Sequence, residues 1–423
     1  MSIATLLQKP FKTATLTTAC IMGVLTLAAN SAHAGAREQA KFIHDRIAGV
    51  PPSNTTLTSM TSDISGGNAS DAVTTAMNNP NFLNVTVKNL VTPWTNEEQT
   101  VFAPLNDTTA TLIGYVRDGK DFRGILFDNV IYTGNDGGLP AYSNSNNNHY
   151  AQMEHQNLNL RTVLQEQAQT TVTGLPAEAV AGITTTRQSS RAFFYAGTNR
   201  AMFRFTMMNY LCRDLEQVKD ITRIPDYIRQ DVSRSPGGDS DIFLNNCIGC
   251  HAGMDGLAGA YAYYEWNYPD GGDPDTGSLQ YNVTPESYDI EGTSYSSRVT
   301  KKHRINPNNF QYGFFTSDDS WKNYWRTGVN ANLGWGQTAS LTPANSPQAV
   351  YNSSGAADLG RELANTTAFA RCQVIKVYRH VCHNDPSEAT LQTLTTNFVN
   401  STYDLRTVFS DSVINCMNSN PNL

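Results

Sequence analysis

Residues 247 to 251 read Cys-Ile-Gly-Cys-His, and no other run in the chain constrains its fold as tightly. Two thiols three residues apart share one face when the stretch is helical. In that geometry they can meet the two vinyl groups on one edge of a haem, and the next residue, His251, turns its imidazole towards the iron. Two other chemistries use Cys-x-x-Cys. A zinc site needs four ligands, commonly with a second Cys/His pair; His380, Cys382 and His383 are the residues that could supply one. A thioredoxin-type dithiol lies at a helix start after a strand in a β-α-β setting, which the flanks of Cys247 do not provide. The reading that follows is one covalently attached haem c, bound through Cys247 and Cys250 with His251 as the proximal iron ligand.

The sixth iron position is open in the sequence. Met254 follows His251 by three residues and so lies on the proximal side. Met202, Met207 and Met208 on a preceding helical stretch, and His303 in a later loop, are the distal candidates. A Met among Phe and Leu at helical spacing is more often core packing than a ligand, and a five-coordinate iron is the other outcome.

The N-terminus supplies the compartment. Lys9 and Lys12 precede a short apolar run from Ile21 to Ala29, and Ala32-His33-Ala34 is an A-x-A site, which predicts cleavage before Gly35. The apolar run is too short to span a bilayer, and no later segment reaches about 20 apolar residues. Lys9 and Lys12 are the only charged residues before Gly35, so cleavage takes the formal charge from −7 to −9. That acidity disfavours nucleic acid and anionic lipid as partners and permits a basic redox partner, whose identity the sequence leaves unknown. The expected location is outside the cytoplasm of a Gram-negative bacterium, periplasmic or extracellular.

Export changes the reading of the cysteines. Beyond the motif, Cys212, Cys372, Cys382 and Cys416 remain, an even number in an oxidising compartment, so two disulfides are expected. Cys372 and Cys382 lie ten residues apart on one helical pattern, about 15 Å along a continuous helix. Bridged Cα atoms lie roughly 4.4–6.8 Å apart. That excludes Cys372–Cys382 and leaves Cys382 to pair with Cys416 or Cys212; packing of the last helices as a hairpin predicts Cys382–Cys416, with Cys212–Cys372 as the other pair.

The chain reads as mainly α: helical modules with long loops around a single haem segment. Helical patterns cover 35–49, 69–77, 201–218, 359–382, 387–398 and 403–416, with helical spacing also across 93–115. Residues 82–91 fit either helix or strand. The stretch 267–300 is rich in Gly, Pro, Asp, Ser and Tyr and reads as irregular. The expected divisions are a signal peptide (1–34), an N-terminal helical domain (35–232), the haem segment with aromatic-rich loops (233–345) and a C-terminal helical module (346–423). The acidic run 270–277 lacks EF-hand spacing and reads as a solvated turn, and Ser317 or Asp318 reads as a helix N-cap.

The segment Cys247 to Tyr264, CIGCHAGMDGLAGAYAYY, resembles the C-x-x-C-H-x-x-M-D-P-L-G segment of planctomycete-type cytochrome c proteins, with Gly256 where that pattern has Pro. Residues 121–126 with Tyr132 resemble the family's upstream helical module. Arg361 to Cys416 resembles its C-terminal one, ending in Tyr403-Asp-Leu-Arg406. Cys212, Cys382 and Cys416 depart from the pattern. The resemblance implies an exported, mostly helical haem protein that transfers electrons, and supplies no substrate.

Three functions fit. Electron transfer through the haem iron is the leading one. A haem enzyme, peroxidase-like or accepting electrons from an exported dehydrogenase, requires an open distal site with an acid/base residue beside it. A surface or carbohydrate-binding protein with an accessory haem would use Tyr261, Tyr263, Tyr264, Trp266, Trp321, Tyr324, Trp325 and Trp335 as a stacking face rather than as a wall around the porphyrin.

Overall fold

A computed structural model describes residues 35–195, 199–228, 241, 243–269, 271–290, 292–304, 314–336 and 351–420. The leader expected at 1–34, the linker expected at 233–239 and the boundaries expected near 232 and 345 fall outside them. Helices of eight residues or more are α1 (Ala36–Ala48), α2 (Asn54–Ser65), α3 (Ala69–Met77), α4 (Asp107–Asp118), α5 (Asn148–His155), α6 (Arg187–Phe194), α7 (Asn199–Thr206), α8 (Ile248–Ala258), α9 (Ala356–Ala364), α10 (Thr367–Cys382), α11 (Glu388–Asn400) and α12 (Leu405–Ser419). The fold is mainly helical, and among the described residues the strands form two-stranded antiparallel ladders only. No helix among the described residues is long and apolar enough to cross a membrane.

The two ends of the chain build one bundle. α1, α2 and α3 pack on one another through Ile43, Ile47, Met60 and Val73, and α12 lies against α1 and α3. α10 carries α11 and α12 on its flank. Phe82, in a widened helical turn at Phe82–Val87, meets Phe409 of α12 edge to face at 5.1 Å. The stretch that fitted either helix or strand is therefore helical.

α4 runs through the interior beside the hairpin of β1 (Ile131–Gly134) and β2 (Leu164–Gln167). At its start, the buried Asp107 carboxylate accepts the backbone N–H of Arg187 at 2.6 Å and of Gln188 at 3.0 Å, capping α6. The helical spacing read across 93–115 becomes a short 3-10 turn at Thr92–Thr95 and then α4, separated by an extended, partly exposed loop.

Two expected helices are interrupted. The pattern over 201–218 is α7, a π turn at Met207–Leu211, and a stop at Cys212, whose φ of 54° is left-handed. The pattern over 359–382 is α9 and α10, divided where the Thr366 hydroxyl accepts the backbone N–H of Phe369 at 3.0 Å. Cys372 and Cys382 do lie on one unbroken helix, and the disulfides are Cys212–Cys372 and Cys382–Cys416, with Cα atoms 5.3 and 5.8 Å apart. Residues 267–300 are more ordered than their composition suggests. β3 (Tyr264–Asn267) pairs with β4 (Ser278–Tyr281), and β5 (Glu286–Ile290) with β6 (Thr293–Ser297). The period of two is visible in β3, where Tyr264 and Trp266 are buried and Asn267 is exposed. Asp318 caps a turn, accepting the backbone N–H of Ser320 at 2.9 Å before β7 (Ser320–Asn323), which pairs with β8 (Tyr351–Ser354); no helix starts there.

Lys376 of α10 is enclosed in this bundle. Its ammonium donates to the Asn209 carbonyl at 2.6 Å and lies 4.4 Å from the Trp94 ring centroid. Burial pushes it down to about 7 from 10.5. With its pKa depressed on folding, the folded state binds fewer protons than the unfolded chain between those values. Stability is therefore expected to rise with pH from about 7 to about 10.5 and to be flat in this contribution below about 7. Urea unfolding across that range checks it, and Lys376→Met is expected to remove the slope.

Candidate haem attachment site

A π turn at Phe243–Cys247 leads directly into α8, the kind of widened turn that recurs beside functional sites. Cys247 takes the cap position, and Cys250 and His251 fall in the first turn. Both thiols are half-exposed, and they are the two described cysteines outside the disulfides. Cys382, needed for the zinc alternative, is bonded to Cys416, and no cluster of three or more metal-binding side chains occurs among the described residues.

The segment from Asp214 to Ile224 straps the back of the motif. Asp214 and Gln217 close a capping box around its first turn. The Cys250 thiol lies 3.6 Å from the Leu215 carbonyl, and the Asp220 N–H donates to the Gly249 carbonyl at 2.9 Å. Arg223 pairs with Asp220 at 2.9 Å and reaches the Thr327 hydroxyl at 3.0 Å. Burial first, then the Glu216 carboxylate, pushes the Cys250 thiol up. Ile221, Ile224 and Leu244 on these flanking segments are 71%, 61% and 51% exposed. A methyl group on Gly249 would sit 3.1 Å from Ile221 Cγ2, so this apolar surface adjoins the motif. It is what the faces of a macrocycle would cover, and the residues present fit the group.

His251 Nδ1 lies 3.1 Å from both carboxylate oxygens of Asp255, one helical turn further along α8. Asp255 is wholly buried, and Arg200 of α7 also grips it, Nε to Oδ1 at 2.6 Å and Nη2 to Oδ2 at 2.9 Å. Burial alone would raise this carboxyl; Arg200 and His251 overcome it and hold the group well below the usual carboxylate range.

The opposite face of α8 is a row of glycines. A methyl on Gly253 would collide with the Trp325 indole, one on Gly256 would lie 2.8 Å from the Lys322 carbonyl, and one on Gly259 would strike the Ser320 carbonyl. The spacing of three lets β7 and Trp325 lie directly on the helix. Gly253→Ala is expected to destabilise by about 1–3 kcal/mol through overpacking, although alanine is the better helix former by about 1 kcal/mol. A melting temperature that rises would contradict this packing.

No family model, curated protein or solved structure matches the chain. The site therefore rests on its own residues. Of the eight aromatics near the motif, Tyr261, Tyr263, Tyr264, Trp266, Trp321, Tyr324 and Trp325 are buried and Trp335 is partly so, an interior wall rather than an open stacking face. Met202 is buried on α7, which packs against α8. Met207 is buried and Met208 half-buried in the π turn that packs on α10. His303 is buried at the N-terminus of α7, where its Nε2 accepts the Asn199 N–H at 3.4 Å. Asn199 also donates to the Ala258 carbonyl, so His303 is tied to the far end of α8, about 10 Å of helix beyond His251. Met254 is buried in the main core. Sequence reasoning passed over Asp255 and Arg200 as site residues. The spacing of four between His251 and Asp255 was a readable signal; nothing local announced Arg200.

Proposed function

We propose that this protein is an exported mono-haem c-type cytochrome that transfers single electrons through a haem held by Cys247 and Cys250 and ligated by His251. The observation that carries the reading is the separation of the cysteines into two sets. Four are consumed in two disulfides, while the Cys-x-x-Cys pair stands half-exposed at a helix start with the imidazole in the same turn. Bound there, the haem would supply a one-electron iron couple. The chain's own part is to hold the thiols apart from the disulfides, aim His251 and cover the apolar faces. The disulfides accord with an oxidising compartment, and the leader with export.

The visible spectrum of the reduced protein, with and without carbon monoxide, tests the role. Narrow c-type bands that carbon monoxide leaves unshifted are expected for a six-coordinate electron carrier. A rapid shift would overturn that role in favour of a haem enzyme with an open iron.

A further inference from the structure

We infer that Asp255 is the residue that tunes the iron, holding the His251 ring in place and lowering the reduction potential by accepting a hydrogen bond from its Nδ1–H. This rests on the haem attachment proposed above and goes beyond it, because the attachment motif specifies a ligand and not its electronic character.

The argument starts from helix geometry. Residues four apart share a face, so Asp255 lies under His251, and both its oxygens are 3.1 Å from Nδ1. A carboxylate can only accept, so the tautomer is fixed with the proton on Nδ1. The lone pair then belongs to Nε2, which points away from Asp255 towards the side of the ring that ligates. An ionised acceptor forms a stronger hydrogen bond than a neutral carbonyl, and it raises the basicity of the imidazole as a ligand. A more electron-donating ligand stabilises the oxidised iron relative to the reduced one, which moves the potential down.

Asp255 can hold this charge because of Arg200. The side chain of Asp255 has no solvent exposure and that of Arg200 is 15% exposed. An isolated carboxylate in that position would be costly; the two-pronged guanidinium compensates and also fixes the plane of the carboxylate. Arg200 donates to the same two carboxylate oxygens that face Nδ1, so it moderates the charge Asp255 presents to the imidazole. Asn199, the neighbouring residue, anchors the same helix to the Ala258 carbonyl, so the distance between α7 and α8 is set at two successive residues. Gly253 and Trp325 fix the opposite side of α8. The imidazole is thus aimed by a rigid set of contacts, and Asp255 is a positioning residue acting through His251.

The test is a midpoint-potential titration of wild type, Asp255→Asn and the double variant Arg200→Gln/Asp255→Asn, each first assayed for covalent haem. The double variant removes both charges of the pair together, so neither is left buried without the other. A more positive potential than wild type is expected in both variants, with haem still attached. Attached haem and an unchanged potential in either variant would overturn the inference. Should neither variant fold, the His251 Nδ1 proton of reduced wild-type protein, observed by 15N-edited NMR, decides alone: a strongly downfield, carboxylate-bound proton is expected, and a proton in the range of a carbonyl- or water-bound imidazole would overturn it. A wild-type protein without covalent haem would instead refute the attachment on which the inference rests.

Discussion

Cys247→Ala and Cys250→Ala are each expected to cripple formation of haem-loaded protein, and the double variant to abolish it. In the proposed attachment each thiol would supply one of two bonds to the haem, and neither has a substitute among the other described cysteines, which are locked in the Cys212–Cys372 and Cys382–Cys416 bridges. His251→Ala separates attachment from ligation: both thioethers remain available while the proximal ligand is lost, so haem is expected to stay attached with an altered spectrum. Haem content per polypeptide and the absorption spectrum of the purified variants check this. Full haem content in the double cysteine variant would mean that the group is held elsewhere or non-covalently.

The second large effect falls on stability. The Cys212–Cys372 bridge closes a span of 160 residues and Cys382–Cys416 a span of 34. Loop-closure entropy gives roughly 5 and roughly 4 kcal/mol for removing them, against a typical total of about 5–15 kcal/mol for a folded domain. Cys212→Ser/Cys372→Ser is expected to cost more than Cys382→Ser/Cys416→Ser. The long bridge also fixes the left-handed Cys212, two residues before the strap along the Cys-x-x-Cys-His motif, so its loss is expected to loosen the site as well as the bundle. Denaturant unfolding with and without reductant measures both. A cost below about 1 kcal/mol for the long bridge would show that the α10 contact is held by packing alone, and non-reducing peptide mapping identifies the pairs in the purified protein.

Much of this fold was legible from residue spacing. α1 and α3 begin and end within a residue of their expected bounds because Gly49 and Asn78 terminate clear apolar stripes. The length of one helix excludes Cys372–Cys382 and hairpin packing of the last helices selects Cys382–Cys416; the exclusion holds despite the division at Thr366, since Cys372 and Cys382 both lie beyond it. What was not legible depends on partners distant in sequence. The 201–218 pattern stays apolar past Leu211, yet the chain turns left-handed at Cys212 to reach Cys372, 160 residues away. The hairpins within 267–300 are hidden because β4, β5 and β6 have mostly exposed or half-exposed residues, so no apolar alternation marks them. In the candidate site, Cys247, Cys250 and His251 fall within one five-residue run, so the motif is readable directly from the sequence. Asp255 needed a helical-face argument, and Arg200 is 55 residues away from it. The glycines at 253, 256 and 259 carry a period of three whose meaning appears only when β7 is laid against them.

The most direct test of the account is acid–acetone extraction of the purified mature protein, followed by a pyridine haemochrome spectrum of the protein pellet. The haem is expected to remain with the polypeptide, in a ratio of one per chain, and to give the spectrum of a haem whose vinyl groups have both been converted to thioethers. Haem that passes wholly into the acetone, or a protein that carries none, would contradict it.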